Sequence, residues 1–270
     1  MKRFVIDASY SSNPKLDHWL SQSQSNIALV TTNFAIETYR RKQIRGIREA
    51  YATFGRHPKQ LRVIRNQEFL CRLHTKAKGM TSRMIDDSGT ADLVDLCQKM
   101  NRYSDADLER AFADHFAQAD EQVAKLRNDS EGLGKEMAER LGALPAVDLY
   151  SLRTGKPYTD ELIKDLLQQV ISTAVDIMQA IPDCYIPSTA DELINCYYVR
   201  STLSAALALR RRSMSSDLSK VNHDKLRNDL LDSDYIATAT YFDGLWSNDE
   251  AMLGVHREVK QILAHISSKY

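Results

Sequence analysis

Breakers are scarce in this chain: six prolines and ten glycines stand among 270 residues. With 43% hydrophobic residues, that composition suits a folded, helix-rich protein with one large domain, or one domain carrying a sizeable insertion. No apolar stretch approaches the ~20 residues that a membrane helix needs. Cys71, Cys97, Cys184 and Cys196 are scattered, with no Cys-x-x-Cys pair and no His at zinc spacing. They read as reduced core thiols, and so point to the cytoplasm. The first residues, Lys2-Arg3-Phe4-Val5-Ile6-Asp7, read as a strand rather than a secretory leader. There is no internal repeat and no low-complexity tract.

Known catalytic and nucleotide-binding signatures are missing too. Gly132-Leu133-Gly134-Lys135 lacks Walker A spacing and a preceding strand, and Gly155-Lys156 runs into Pro157. The seven His residues show no paired-ligand spacing. Asp7-Ala8-Ser9 lacks the second Asp that aspartyl-phosphate chemistry needs.

Net charge is zero, but the charges are not evenly spread. Residues 38–83 carry thirteen Lys or Arg against two acids, a net of +11. Residues 84–140 carry seven basic against fourteen acidic residues, a net of −7. Opposed blocks of this kind present a basic surface somewhere. Within the first block, Arg40-Arg41-Lys42 with Arg45 and Arg48 is the candidate nucleic-acid contact. If one helix runs through to Phe54, Arg41, Arg45 and Arg48 share a face suited to a phosphate backbone. Tyr39, Tyr51 and Phe54 are candidates for stacking on unpaired bases. The alternative is a solvated helix face paired with the acidic block. Arg210-Arg211-Arg212, with Ser213 and Lys220 beyond, is a second candidate patch.

The texture changes along the chain. Short β-branched runs predict strands over 3–7 and 61–64, with Ile27-Ala28-Leu29-Val30 as a further apolar segment and a helix over 15–21. From about 67 to 227 the pattern is amphipathic helix, as in 105–126, 160–180 and 190–211, punctuated by Gly132, Gly134, Pro145, Gly155 and Pro157. After 228 the first texture returns: an Ala-rich helix over 235–242, a turn at Asp243-Gly244, a strand over 245–247 and a final amphipathic helix. The expected architecture is an α/β domain from residues 1–66 and 228–270, interrupted by an all-α insertion over 67–227.

Four acids stand at the ends of apolar segments: Asp7, Glu37, Asp234 and Asp249. Buried carboxylates are costly unless paired or metal-bound, so their joint placement points to a divalent cation. In open parallel sheets ligands gather at the carboxyl ends of strands, where Asp7 and Asp249 are expected. Each acid has a plainer reading. Asp234 or Asp249 would serve to cap its helix, Asp232 or Asp229 could replace Asp234, and Glu37 alone could be a salt-bridged surface residue.

Val5-Ile6-Asp7-Ala8-Ser9 resembles the opening strand of PIN-domain nucleases, and Glu37 resembles that family's second acid. Asp234-Tyr235-Ile236-Ala237-Thr238-Ala239-Thr240 followed by Gly244-Leu245-Trp246-Ser247-Asn248-Asp249 is similar to its C-terminal signature. The chain departs from the family in its long insertion and in Trp246, where a small aliphatic residue is usual. The resemblance implies a PIN-like three-layer α/β/α domain and a Mg²⁺- or Mn²⁺-dependent endonuclease acting on RNA or single-stranded nucleic acid. It implies Asp7, Glu37, Asp234 and Asp249 as ligands and catalytic acids, with Ser9, Ser247 and Asp232 supporting them. A toxin or defence effector, an inhibitory protein partner and a homo-oligomer are further expectations. The alternatives are a helical interaction or nucleic-acid-binding protein with an inactive remnant of that domain, or a structure-specific DNA nuclease.

Overall fold

A computed structural model describes residues 1–75, 79–100, 102–142, 158–213 and 223–267. The chain forms two compact units, each described by itself. The first holds residues 1–70, 78–124 and 241–253, and the second holds 71–77, 125–240 and 254–270. These units divide the chain differently from the sequence texture: residues 78–124 belong with the sheet, and 228–240 with the helices.

The first unit is a mixed α/β structure built on a mostly parallel five-stranded sheet. Its strands are β1 (Lys2–Ile6), β2 (Asn26–Val30), β3 (Leu61–Ile64), β4 (Ile85–Asp86) and β5 (Gly244–Trp246). They lie in the order β4-β3-β2-β1-β5. Only β4 is antiparallel. Parallel neighbours need crossovers, and these are supplied by α1 (Pro14–Gln22) between β1 and β2, then α2 (Thr32–Arg40) and α3 (Ile44–Arg56) between β2 and β3. Every residue of β2 is buried, as expected of a strand covered on both faces. Asn13 caps α1 by accepting from the Lys15 amide at 3.0 Å, and Pro14 occupies the first turn, where its missing N–H costs nothing. Gln60 ties the entry of β3 to the sheet by donating to the Leu20 and Asn26 carbonyls, each at 2.9 Å.

Four helices follow β3. They are α4 (Gln67–Cys71), α5 (Met80–Arg83), α6 (Asp87–Met100) and α7 (Asp105–Gly142). Here α6 packs on β3 and α3. The expectation that Gly132 and Gly134 interrupt the long helix is overturned, because α7 runs through both.

The second unit contains α8 (Asp160–Gln179), α9 (Ala190–Ile194), α10 (Tyr197–Ser213), α11 (His223–Ala239) and most of α12 (Glu250–Ser267). Thr159 and Thr189 cap α8 and α9. The stretch expected to be one helix over 190–211 is two, broken at Asn195-Cys196. Helix α10 packs against both α8 and α11 and is buried nearly all round from Tyr197 to Arg210. Its buried polar residues are bonded within the helices: Ser204 donates to the Arg200 carbonyl at 2.7 Å. Arg210 meets Glu258 of α12, and the Arg211 guanidinium lies over Gly254, where an added Cβ would push that flexible arm aside. Among the described residues, no helix is long and apolar enough to cross a membrane.

Candidate functional site

Strands β1, β2 and β3 are laid down in one direction across the sheet, whereas β5 returns on the other side of β1. The crossover direction therefore reverses between β1 and β5. In open α/β sheets the crevice beyond the carboxyl ends of strands at such a reversal is where ligands bind. The first residue past β1 is Asp7, and the first past β5 is Ser247. Register places the two side by side, since Ile6 pairs with Trp246.

Asp7 is only 6% exposed. Burying a charge there requires compensation, and it comes from two hydroxyls. Ser9 Oγ donates to Asp7 Oδ2 at 2.5 Å, and Ser247 Oγ donates to the same oxygen at 2.6 Å. Among the described residues Oδ1 takes no hydrogen bond. One oxygen is thus fixed while the other is available to an outside partner. Ser247 also accepts from the Asp249 backbone N–H at 2.9 Å. Asn248 donates through Nδ2 to the Ser9 carbonyl at 2.6 Å, cross-bracing the loops that follow β1 and β5.

Asp249 is exposed, and its Oδ1 accepts from the Ala251 and Met252 amides at 2.7 and 3.0 Å. It is the N-cap of α12, as one of the two sequence readings had it, and its Oδ2 is left uncommitted among the described residues. Glu37 is half-buried on α2, which packs against the turn Ala8–Tyr10 just after Asp7. Asp234 is in the second unit, so its expected place at the start of an Ala-rich helix is corrected. It lies in the interior of α11, where Ser201 Oγ and the Tyr197 hydroxyl of α10 donate to its Oδ1 at 3.2 and 3.4 Å. Asp232, half-buried, is on the same helix. Among the described residues no three His, Cys, Asp or Glu side chains are grouped closely enough to hold a metal ion.

The basic segment is reorganised relative to its reading as one helix. Helix α2 ends at Arg40 and α3 starts at Ile44, with Lys42 in the left-handed region at φ 50°. Arg41, Arg45 and Arg48 therefore do not form one helical face. Lys42 pairs with Asp120 at 2.6 Å and Arg45 with Glu49 at 2.9 Å. Arg48 pairs with Asp105 at 3.0 Å and reaches the Met100 and Tyr103 carbonyls. This is the alternative in which the basic block meets the acidic one. Among the described residues, Arg40 and Arg41 make no ion pair. The expected stacking residues are core: Tyr39, Tyr51 and Phe54 are 6%, 2% and 1% exposed. Tyr39 packs against Phe112 and His115, and Phe34 packs against Tyr51 and Phe54. Of the second patch, Arg210 is committed to Glu258, while the Arg212 side chain, the Ser213 side chain and Lys220 lie outside the described residues.

Two features escaped sequence reasoning. Thr31 follows β2 in the same row as Asp7, by the pairing of Val5 with Leu29. Its buried Oγ1 has no hydrogen-bond partner among the described residues. An N-cap threonine that makes no cap bond is visible only in coordinates. The second is a group of four half-buried aromatic rings, Phe4, Tyr10, Trp19 and Trp246, of which Trp246 directly precedes Ser247. All four cysteines are free, and Cys71, Cys97 and Cys196 are buried as expected of core thiols, whereas Cys184 is half-buried; burial pushes the Cys97 thiol up to about 12.

Comparison with family models, with curated proteins and with solved structures finds no match to this chain.

Proposed function

We propose that the first unit is a PIN-like, metal-dependent nuclease domain that hydrolyses phosphodiester bonds of RNA or single-stranded nucleic acid. The observation that carries this is Asp7: a buried carboxylate at the strand-order reversal, with Oδ2 clamped by two serines and Oδ1 left open. Carboxylate oxygens are the donors Mg²⁺ and Mn²⁺ prefer, and the open Asp7 Oδ1 is one such donor. Asp7 would hold it, with Asp249 Oδ2 and Glu37 as the neighbouring acids. The ion would supply a water nucleophile at neutral pH and offset charge on the phosphate. Asp234 enters this reading only through its sequence resemblance. Ser9 and Ser247 orient Asp7, the supporting role that fixes a ligand in a productive rotamer.

The test is cleavage of a generic RNA and of single-stranded DNA by purified protein, with Mg²⁺ or Mn²⁺ and again with EDTA. Metal-dependent cleavage that falls at least about a hundred-fold in Asp7→Asn supports the assignment. Cleavage unchanged in that variant removes it. A second reading is favoured by the pairing of Lys42 and Arg48 with acidic helices. It makes the chain a binding protein whose sheet edge no longer catalyses, and it predicts no cleavage in either metal. A toxin or defence role, an inhibitory partner and a structure-specific DNA substrate remain proposals of the resemblance alone.

A further inference from the structure

Both tryptophans of the chain lie in one aromatic group, and one of them, Trp246, ends the strand beside Asp7. Trp19, on α1, and Trp246, on β5, have ring centroids 4.8 Å apart. Phe4 of β1 lies 5.5 Å from Trp19 and 5.4 Å from Trp246, and Tyr10 lies 5.4 Å from Trp246. All four rings are half-buried, so each keeps part of its surface in water. Trp246 immediately precedes Ser247, and its carbonyl accepts from the Asp7 amide at 3.0 Å. Tyr10 donates its backbone N–H to the Asp7 carbonyl at 2.9 Å.

We infer that Phe4, Tyr10, Trp19 and Trp246 form a stacking platform for unpaired bases, feeding a single strand of RNA or DNA past Asp7. This rests on the reading of the Asp7 edge as a phosphodiester site, and it names the part of the substrate that this edge grips. Every base has a π-face, so aromatic platforms hold single strands with little regard to sequence. Duplex bases are already stacked and present only their edges. Two cations on the same elements favour a polyanion: Lys2, two residues before Phe4 on β1, and Lys15, four residues before Trp19 on α1, are exposed, and among the described residues neither makes an ion pair. The nearby Asp17 is already held by Arg56 and His57, each at 3.0 Å. The platform takes over the stacking role expected of Tyr39, Tyr51 and Phe54, all of which are core.

Because both fluorophores are in the platform, binding can be read without catalysis. Asp7→Asn protein in EDTA is titrated with short oligo(dT) and oligo(U), and with a DNA duplex of the same length. The single strands saturably quench tryptophan emission, and the duplex does so far more weakly. Tyr10→Ala and Trp246→Leu each weaken single-strand affinity by about five-fold or more, while Trp246→Phe, which keeps a ring, retains most of it. Circular dichroism checks that each variant folds. Emission unchanged by either single strand overturns the platform. So does equal quenching by duplex, or a protein dimer in sedimentation that shields the tryptophans and excludes the strand. Metal-dependent cleavage by the unmodified chain without quenching keeps the nuclease reading and discards the platform. Quenching without cleavage does the reverse.

Discussion

Ser247 donates its hydroxyl hydrogen to Asp7 at 2.6 Å, joining residues that stand 240 positions apart in the chain. The same oxygen accepts from the Asp249 amide, so one serine links the acid after β1 to the loop after β5. A hydrogen bond to a charged group contributes about 1.5–3 kcal/mol, and a buried carboxylate that loses a donor forfeits most of it. Ser247→Ala should therefore lower the unfolding free energy by about 1–3 kcal/mol in urea titrations. Ser9 and Ser247 serve the same Oδ2, so their effects should not add. A double Ala variant departing from the sum by more than about 0.5 kcal/mol is expected. Strict additivity would show the two hydroxyls acting on different groups.

Asp249 has two roles that substitution can separate. Its Oδ1 caps α12, and losing such a cap costs about 1 kcal/mol. Asp249→Ala should lose that stability, and Asp249→Ser should recover it, because a serine hydroxyl caps nearly as well. If the free Oδ2 also holds a cation, Asp249→Ser should be as defective in cleavage as Asp249→Ala despite its restored stability. Full activity in the serine variant would reduce Asp249 to a cap.

The strands were legible because each is a short apolar run bounded by turn residues, as in Phe4-Val5-Ile6 and Leu61-Arg62-Val63-Ile64. β4 was not, since two residues carry no period. Asp234 was misplaced for a physical reason. Helix α11 begins at His223, and its polar residues Asn228, Asp229 and Asp232 hide the repeat of Leu226, Leu231, Tyr235 and Ala239 that is buried. A helix start read from composition alone fell one Asp-rich stretch too late. The break between α2 and α3 leaves no mark either. Neither Pro nor Gly stands at Arg41-Lys42-Gln43, and Lys42 takes the left-handed conformation that a glycine usually announces. Of the site, Asp7, Ser9, Ser247 and Asp249 were legible, because acids and hydroxyls at strand ends are a local pattern. The aromatic group was not, since its members come from β1, the following turn, α1 and β5.

The break in the basic segment predicts two kinds of arginine. Arg48 holds Asp105 and the carbonyls that end α6, so it is structural. Arg48→Ala should cost about 1–3 kcal/mol and leave the salt dependence of nucleic-acid binding unchanged. Arg41 is exposed and outside any ion pair among the described residues. Arg41→Ala should alter stability by less than about 0.5 kcal/mol. If Arg41 meets phosphate, the same change should reduce the slope of log affinity against log salt by about one. An unchanged slope would take Arg41 out of the interface.

His256 of α12 is one source of pH dependence in the second unit. It is 7% exposed, Nε2 has no hydrogen-bond partner among the described residues, and burial moves it from the ordinary 6.5 down to about 4. Lys260 and Arg257 add to the depression, and a hydrogen bond with the Ala239 backbone opposes it. Protonation would bury a charged N–H with nothing to receive it, so the folded state favours the neutral ring. The sign follows: its contribution is complete above about pH 6.5, and it is lost as the pH falls through the folded value near 4. The full difference corresponds to about 3 kcal/mol once both states are protonated. Urea midpoints at pH 7 and pH 4.5 should therefore differ more in the unmodified protein than in His256→Leu, which cannot titrate. A leucine variant that loses stability just as steeply over that interval would move the dependence to the carboxylates.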